Sequence, residues 1–274
     1  MAGEYVFGEA TDDDVRLRAQ SAVLDPLTAR LFDQAGLAPG MRVLDIGSGA
    51  GNVALLAAEA VGPRGGVVGI DRDPHVLERA RRLAAGAPNV EFRTGDLRST
   101  DGLDVLDGEF DAVVGRLVLA HTPDPVAALG AVTQWVRPGG LVCMHEGDLA
   151  HEWTSHATPL WEQVRGWLLE ACAAADVDAR MGPVLYATFR SAGLPEPDLV
   201  LEAPVGGGAR TPTFGWSNSV RALLPVLERL GITSAEEAEV ETLTERLDAE
   251  IVARNGTVLG PLMYGAWCTT PRAG

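Results

Sequence analysis

Between Asp45 and Gly51 the sequence reads Asp-Ile-Gly-Ser-Gly-Ala-Gly, after an apolar run and before a stretch rich in alanine and leucine. Glycine at 47, 49 and 51 lets the backbone take positive φ and approach a ligand closely. The order implies a buried strand, a tight turn and a helix N-terminus, and open α/β sheets bind ligands at the carboxyl ends of such strands. The dinucleotide fingerprint G-x-G-x-x-G needs a third glycine at position 52, which is asparagine; Gly51 comes one residue early. Asp71 ends the next apolar run, where a carboxylate can accept both hydroxyls of a ribose. Its alternative role is a helix N-cap, for which Asp73 before Pro74 is better placed. Arg72 can lay its planar guanidinium over a purine.

Two further side chains have the chemistry for proton transfer. His121 lies in Ala120-His121-Thr122, and an imidazole titrates near neutral pH. Glu146 ends Cys143-Met144-His145-Glu146, and a carboxylate beside a pocket can take a proton or hold a cation or a donor N–H. The plainer alternatives are a histidine at a helix start and a solvated carboxylate at a strand end.

The elements that must position these residues follow from periodicity. Strands are predicted at 41–46, 66–71, 89–94, 110–116 and 140–146, with helices at 51–61, from Pro74 to about Ala85, and from Pro125 to Val136. Arg137-Pro138-Gly139-Gly140 reads as a turn. Short apolar strands joined by crossover helices mean a doubly wound, mostly parallel sheet. Before it, Thr11 caps a helix with Asp12, Asp13 and Asp14 in its first turn; Pro26 breaks or kinks it, and a second piece runs to Gly36. After residue 147 helices dominate: one through Trp161 and Trp167, one from Pro183 to Gly193, one around 215–230, and one carrying Val240, Leu243, Leu247 and Ile251. A strand at 198–203, a flexible turn at Gly206-Gly207-Gly208 and a last strand at about 258–269 complete the reading. The expected organisation is a helical N-terminal lid at 1–36, a ligand-binding core at 37–147, and the last two strands with helical cap insertions at 148–274.

Composition removes several function classes. The 274 residues are 46% hydrophobic with mean hydropathy +0.08, enough for one large α/β domain or for one domain plus a cap. Net charge is −16 and the pI about 4.7, which disfavours nucleic acid as a partner. No run of about 18 apolar residues suggests a membrane span, and the acidic N-terminus does not read as a signal peptide, so a cytoplasmic protein is expected. The chain has no lysine, which excludes both a P-loop and a Schiff-base enzyme. Cys143, Cys172 and Cys268 are odd in number and far apart, arguing against a disulfide framework or zinc knuckle. His145, Glu146, His151 and His156 do not have a metalloprotease spacing, and no metal is expected.

The pattern D-x-G-x-G-x-G, with acidic residues ending the next two strands at Asp71 and Asp96, resembles motif I and its companions in the class I S-adenosylmethionine-dependent methyltransferases. The resemblance runs through residues 40–146 and includes Val114-Gly115-Arg116-Leu117 and Arg137-Pro138-Gly139-Gly140-Leu141. It is closest to the branch with ubiquinone- and menaquinone-biosynthesis enzymes and natural-product methyltransferases. Tyr5-Val6-Phe7-Gly8, Arg18-Ala19-Gln20 and Gly260-Pro261 to Trp267 look like an actinobacterial small-molecule subgroup. Ser48 departs from the cysteine of many members, and a small side chain serves equally.

The resemblance implies a Rossmann-like, doubly wound seven-stranded sheet with a helical cap. It implies that S-adenosylmethionine contacts Gln20, Asp45, Gly47, Ser48, Gly49, Asp71, Arg72, Asp96, Leu97 and the Arg116 carbonyl, and that S-adenosylhomocysteine is the product. Asp96 would take the adenine amine and the next backbone N–H would meet the ring. In this architecture His121 and Glu146 lie nearest the reacting methyl, Glu146 as orienting group and His121 as the base if the acceptor requires one.

Tyr5, Phe7, Trp153 and Trp267 are the expected acceptor contacts, since five of six tryptophans follow residue 147 and flat side chains suit an aromatic acceptor. Trp161 and Trp167, at helical spacing, are expected to pack the cap itself. The expected reaction is methylation of a small aromatic or heterocyclic metabolite at carbon, oxygen or nitrogen, as in natural-product biosynthesis. The partner is that small molecule, with no nucleic acid and no membrane; a homodimer is left open. The alternatives are a binder of S-adenosylmethionine that does not methylate, acting as a cyclase or a partner subunit, and an NAD-dependent oxidoreductase.

Overall fold

A computed structural model describes residues 10–97, 106–208 and 215–272. In their described parts, the chain divides into two compact units. A sheet unit is formed by Asp25–Gly147, Met181–Leu201 and Met263–Gly274, and a helical unit by Met1–Leu24, Asp148–Arg180 and Glu202–Leu262.

The sheet unit is built on β1 Arg42–Ile46, β2 Gly66–Asp71, β3 Val90–Thr94, β4 Phe110–Arg116, β5 Val136–Asp148, β6 Asp198–Glu202 and a last strand, β9 Leu262–Thr269. Their order is β3-β2-β1-β4-β5-β9-β6, with β1 parallel to both β2 and β4, β2 parallel to β3, and β4 parallel to β5. Strand order therefore reverses between β1 and β4, the point where doubly wound sheets open a crevice. The expected seven-stranded α/β sheet is the observed one.

Helices α2 Asn52–Val61 and α3 Pro74–Leu83 follow β1 and β2, and α4 Pro125–Thr133 follows β4. Asp73 and Asp124 cap α3 and α4, accepting from the His75 and Ala127 amides at 2.8 and 2.9 Å. On one face Val53, Ala54, Ala57 and Val61 of α2 and Leu77 and Ala80 of α3 bury against Val43, Val67, Ala112 and Cys143. Leu31 and Phe32 of α1 Ala10–Ala35 join that core. α6 Met181–Ser191 also belongs to this unit.

The helical unit holds α5 Pro159–Ala174, α7 Trp216–Arg229, α8 Ala235–Ala238 and α9 Leu243–Arg254. Its core includes Trp161, Trp167, Val220, Leu227, Leu247 and Ile251. The Trp161 indole N–H donates to the Leu247 carbonyl at 2.9 Å. Among the described residues no helix is long and apolar enough to cross a membrane.

Four expectations change. α1 runs unbroken through Pro26, because proline removes one amide while buried Leu27, Leu31 and Phe32 hold the following turns on the sheet. Its residues from Asp25 onward belong with the sheet, so residue 36 is not where the units divide. Arg137 to Gly140 lie inside β5 as a bulge, since Phe110 pairs with Val136 and Ala112 with Leu141. Finally, the predicted strand at 258–269 is two strands. β8 Thr257–Leu259 pairs antiparallel with β7 Val205–Gly207, which replaces the expected glycine turn, and Gly260-Pro261 separates β8 from β9.

Candidate active site

The turn after β1 uses its three glycines for three different ends. All have positive φ, at 59° for Gly47, 50° for Gly49 and 90° for Gly51. A Cβ on Gly47 would strike the Val118 side chain just beyond β4, so this glycine lets the two loops at the sheet's reversal touch. A Cβ on Gly51 would lie 2.8 Å from Phe92 and 3.1 Å from Ala80, so this one packs α2 against β3 and α3. A Cβ on Gly49 would meet nothing within 4 Å among the described residues. Of the three, Gly49 alone faces open space among the described residues.

Asp71 fastens the turn. Its carboxylate accepts from the Gly49 N–H at 2.9 Å and from the Asp73 N–H at 3.0 Å. It does not cap α3, which Asp73 does. Burial raises its pKa, opposed by those two amides. A carboxylate offers about four acceptor positions, so two remain after these bonds. The Gly95 N–H bonds the Asp71 carbonyl at 3.0 Å, which brings half-buried Asp96 and Leu97 to the same sheet end. Arg72 is half-buried beside them.

Asp45 is more unusual. It is 1% exposed, and neither carboxylate oxygen has a hydrogen-bond partner among the described residues; the Ser48 hydroxyl likewise has none. Burial pushes the Asp45 pKa well up, against the pull of the Arg116 guanidinium. Buried polar groups are nearly always satisfied, so these atoms hold hydrogen-bonding capacity that the described residues leave unspent.

The ends of β4 and β5 are finished differently. The Arg116 side chain, 8% exposed, donates to Asp25 and to the Thr28 hydroxyl of α1, both at 2.9 Å. The Thr28 hydroxyl lies 3.1 Å from His145 Nδ1, and His145 is buried with its pKa pulled down to about 3, chiefly by burial. Leu117, next after β4, takes φ +53°, a strained value of the kind that collects at functional sites. Glu146 is 0% exposed, and its Oε1 accepts from the amides of Val118 and Leu119 at 2.9 and 2.8 Å. It thereby holds the short 3-10 helix Leu119–His121, at whose end His121 is exposed.

The sequence reading is corrected in part. Glu146 is buried rather than solvated at a strand end, and its Oε1 is taken up by the main chain, because two orphan amides there need an acceptor. The Arg116 side chain anchors α1. Trp153 is buried, stacks on Trp216 at 3.9 Å and gives its N–H to the Leu149 carbonyl, so one ring face and the polar tip serve the helical unit's core. Trp267 packs against the sheet core with Val43 and Ala57. Gln20 lies on α1 in the helical unit, and Tyr5 and Phe7 fall outside the described residues. Sequence reasoning missed Asp25 and Thr28; their i, i+3 spacing on α1 was the available signal.

The family described as Methyltransferase domain matches residues 37–185. Arsenite methyltransferase of Halobacterium salinarum is 39% identical over 114 residues, covering 41% of this chain and 28% of that protein. The alignments span less than half the length of the curated relatives they match. A putative methyltransferase of Bacillus halodurans has a similar fold, with a TM-score of 0.57 at 18% identity over 89% of this chain and 98% of that one. The cyclase SpnF shares it too, with a TM-score of 0.55 at 19% identity over 91% and 81%.

Proposed function

Because the chain belongs to the methyltransferase-domain family, we propose that it moves a methyl group from S-adenosylmethionine to a small organic acceptor. The supporting observation is the hydrogen-bonding capacity left unspent at the ends of β1 and β2. Among the described residues both Asp45 oxygens and the Ser48 hydroxyl lack partners, and Gly49 opens onto free space. These residues suit the cofactor part by part. Asp71 keeps acceptor positions for the ribose hydroxyls, Asp96 and the Leu97 amide suit the adenine edge, and buried Asp45 suits an ammonium group. When bound, the cofactor supplies a methyl group already activated on a sulfonium.

The chain's own work is therefore to hold, align and keep dry. Glu146 fixes the amides of Val118 and Leu119, and so the turn that carries His121. We assign proton removal to His121 for acceptors that lose one, and for carbon acceptors the site needs only alignment.

For the acceptor, a net charge of −16 favours a neutral or cationic small molecule. An arsenic acceptor would need soft thiolate ligands. Here burial pushes the Cys172 and Cys268 thiols up to about 11 and Cys143 higher still, so none is poised as a thiolate. The finer reading, an aromatic or heterocyclic metabolite of natural-product biosynthesis, rests on the resemblance of the chain's ends to small-molecule enzymes. Trp153 and Trp267 no longer support it.

Calorimetric titration with S-adenosylmethionine, S-adenosylhomocysteine and NAD tests the cofactor: tight binding of the first two is expected, and a preference for NAD overturns the reading. With an acceptor found, His121→Ala should lower kcat with S-adenosylmethionine affinity intact, and undiminished turnover removes its role as base. Cofactor binding without methyl release across a wide acceptor panel would leave the alternative, a non-methylating cyclase or partner subunit.

A further inference from the structure

We propose that Asp45 is the proton-exchange group of the cofactor pocket: a neutral carboxyl in the free protein, a carboxylate once a ligand's α-ammonium group is bound against it. The proposal rests on the S-adenosylmethionine reading and adds a property to it, namely that binding of the amino-acid end expels one proton.

The geometry carries the argument. Asp45 sits one residue before the end of β1, in register with Gly69 of β2 and Val114 of β4, at the reversal of strand order. Apolar Leu44 and Ile46 flank it along the strand, and it is 1% exposed with neither oxygen hydrogen-bonded among the described residues. An ionised carboxylate in that position would be shielded from bulk solvent and without a hydrogen-bond donor among the described residues, a state that costs far more than neutralisation by a proton.

The charged groups that face it do not reverse this. Arg116 of β4 favours ionisation, but its guanidinium is already paired with Asp25 of α1. Asp71 of β2 opposes ionisation. The Ala54 amide in the first turn of α2 favours it, short of hydrogen-bond geometry. Burial is the largest influence of all and opposes it.

An arriving ammonium group changes the balance, because it brings both a full positive charge and N–H donors. The exchange is then complete in atoms and charge. The Asp45 O–H bond breaks, its proton goes to solvent, and the carboxylate remains paired with the ligand's intact ammonium. The direction of the linkage follows: acid keeps the proton on Asp45 and weakens binding, and affinity rises with pH until the free protein loses that proton unaided.

Titration calorimetry of the full chain at pH 5, 6 and 7, in two buffers of unlike ionisation heat, reads both affinity and protons. Over this range the ligand's α-amino group stays largely charged. S-adenosylmethionine should bind more tightly with each pH unit, up to about tenfold, with close to one proton released per ligand. Asp45→Asn should bind with no proton release and a flat pH profile. 5′-Methylthioadenosine, which keeps adenine, ribose and sulfur but lacks the amino-acid end, should give a flat profile on the unaltered protein. That arm needs no variant to fold, and it separates Asp45 from Asp71 on the ribose side. S-adenosylmethionine binding without proton release, or an equal slope with 5′-methylthioadenosine, overturns the proposal. Failure of S-adenosylmethionine to bind at any of these pH values overturns the cofactor reading instead.

Discussion

The ends of β1 and β2 and the ends of β4 and β5 lie along one edge of one sheet, yet they are finished in opposite ways. At β1 and β2, Asp45 and Ser48 carry polar atoms with no protein partner among the described residues, and Gly49 faces open space. At β4 and β5, Arg116 is bonded to Asp25 and Thr28, His145 meets Thr28, and Glu146 holds two amides. Among the described residues the first pair of strands leaves polar atoms unbonded, the capacity on which the proposed function rests, while Arg116, His145 and the Glu146 Oε1 are spent on building the walls. A strand-end position is thus a poor guide to chemistry until the partners of each polar atom are counted.

The sharpest way to break this contrast lies inside the glycine turn. Gly49→Val should leave the fold largely standing, at a cost of about 1–2 kcal/mol for its positive φ. It should also reduce S-adenosylmethionine affinity by a hundredfold or more, on the order of 3 kcal/mol. Gly51→Val should do the reverse and destabilise the protein, since its Cβ would meet Phe92 and Ala80. Thermal melts and calorimetry on the pair decide it; if Gly49→Val binds normally, the space above that residue is not the ligand's.

Glu146→Ala tests the other side. It strands the Val118 and Leu119 amides and should cost about 3 kcal/mol of stability by urea denaturation, while Glu146→Gln, which keeps an acceptor oxygen, recovers part of it. A loss below about 1 kcal/mol would mean that the turn is held by something else.

Asp71→Ala should weaken S-adenosylmethionine binding by about 1–3 kcal/mol, through the ribose bonds and through release of the Gly49 amide. Unchanged affinity would remove the ribose assignment.

The smallest effect is a slope. His145 has a folded pKa near 3 against about 6.5 unfolded, so its contribution to stability is whole above pH 6.5 and shrinks as pH falls toward 3, by at most about 1.4 kcal/mol per unit. Asp45 and Asp71, whose pKa values are raised in the fold, act in the opposite sense, and their cost is relieved as pH falls through those folded values. His145→Gln should therefore make the melting temperature fall less steeply between pH 6.5 and 4; an unaltered slope would show that His145 already takes up a proton in the folded state.

The sequence by itself determined the parallel core of the sheet and the glycine turn after β1. β2 and β4 have the limits that apolar periodicity predicts, and the D-x-G-x-G-x-G turn, Asp71 and Asp96 come to one sheet end because each directly follows a buried strand. Such signals are local: a run of apolar residues, a glycine that alone tolerates positive φ, an aspartate before Pro74. What the tertiary structure decided was which polar groups are free. Asp25 and Thr28 are far from Arg116 and His145 in sequence, and only the docking of α1 brings them within 3.1 Å. Glu146 and Asp45 read alike as strand-end acids, and nothing local distinguishes the one that meets two amides from the one that meets none. Trp153 looked like an acceptor contact until Trp216, 63 positions further on, closed over its ring. Periodicity fixes which side of an element is buried; the partner that satisfies a buried polar atom comes from another element, and packing alone chooses it.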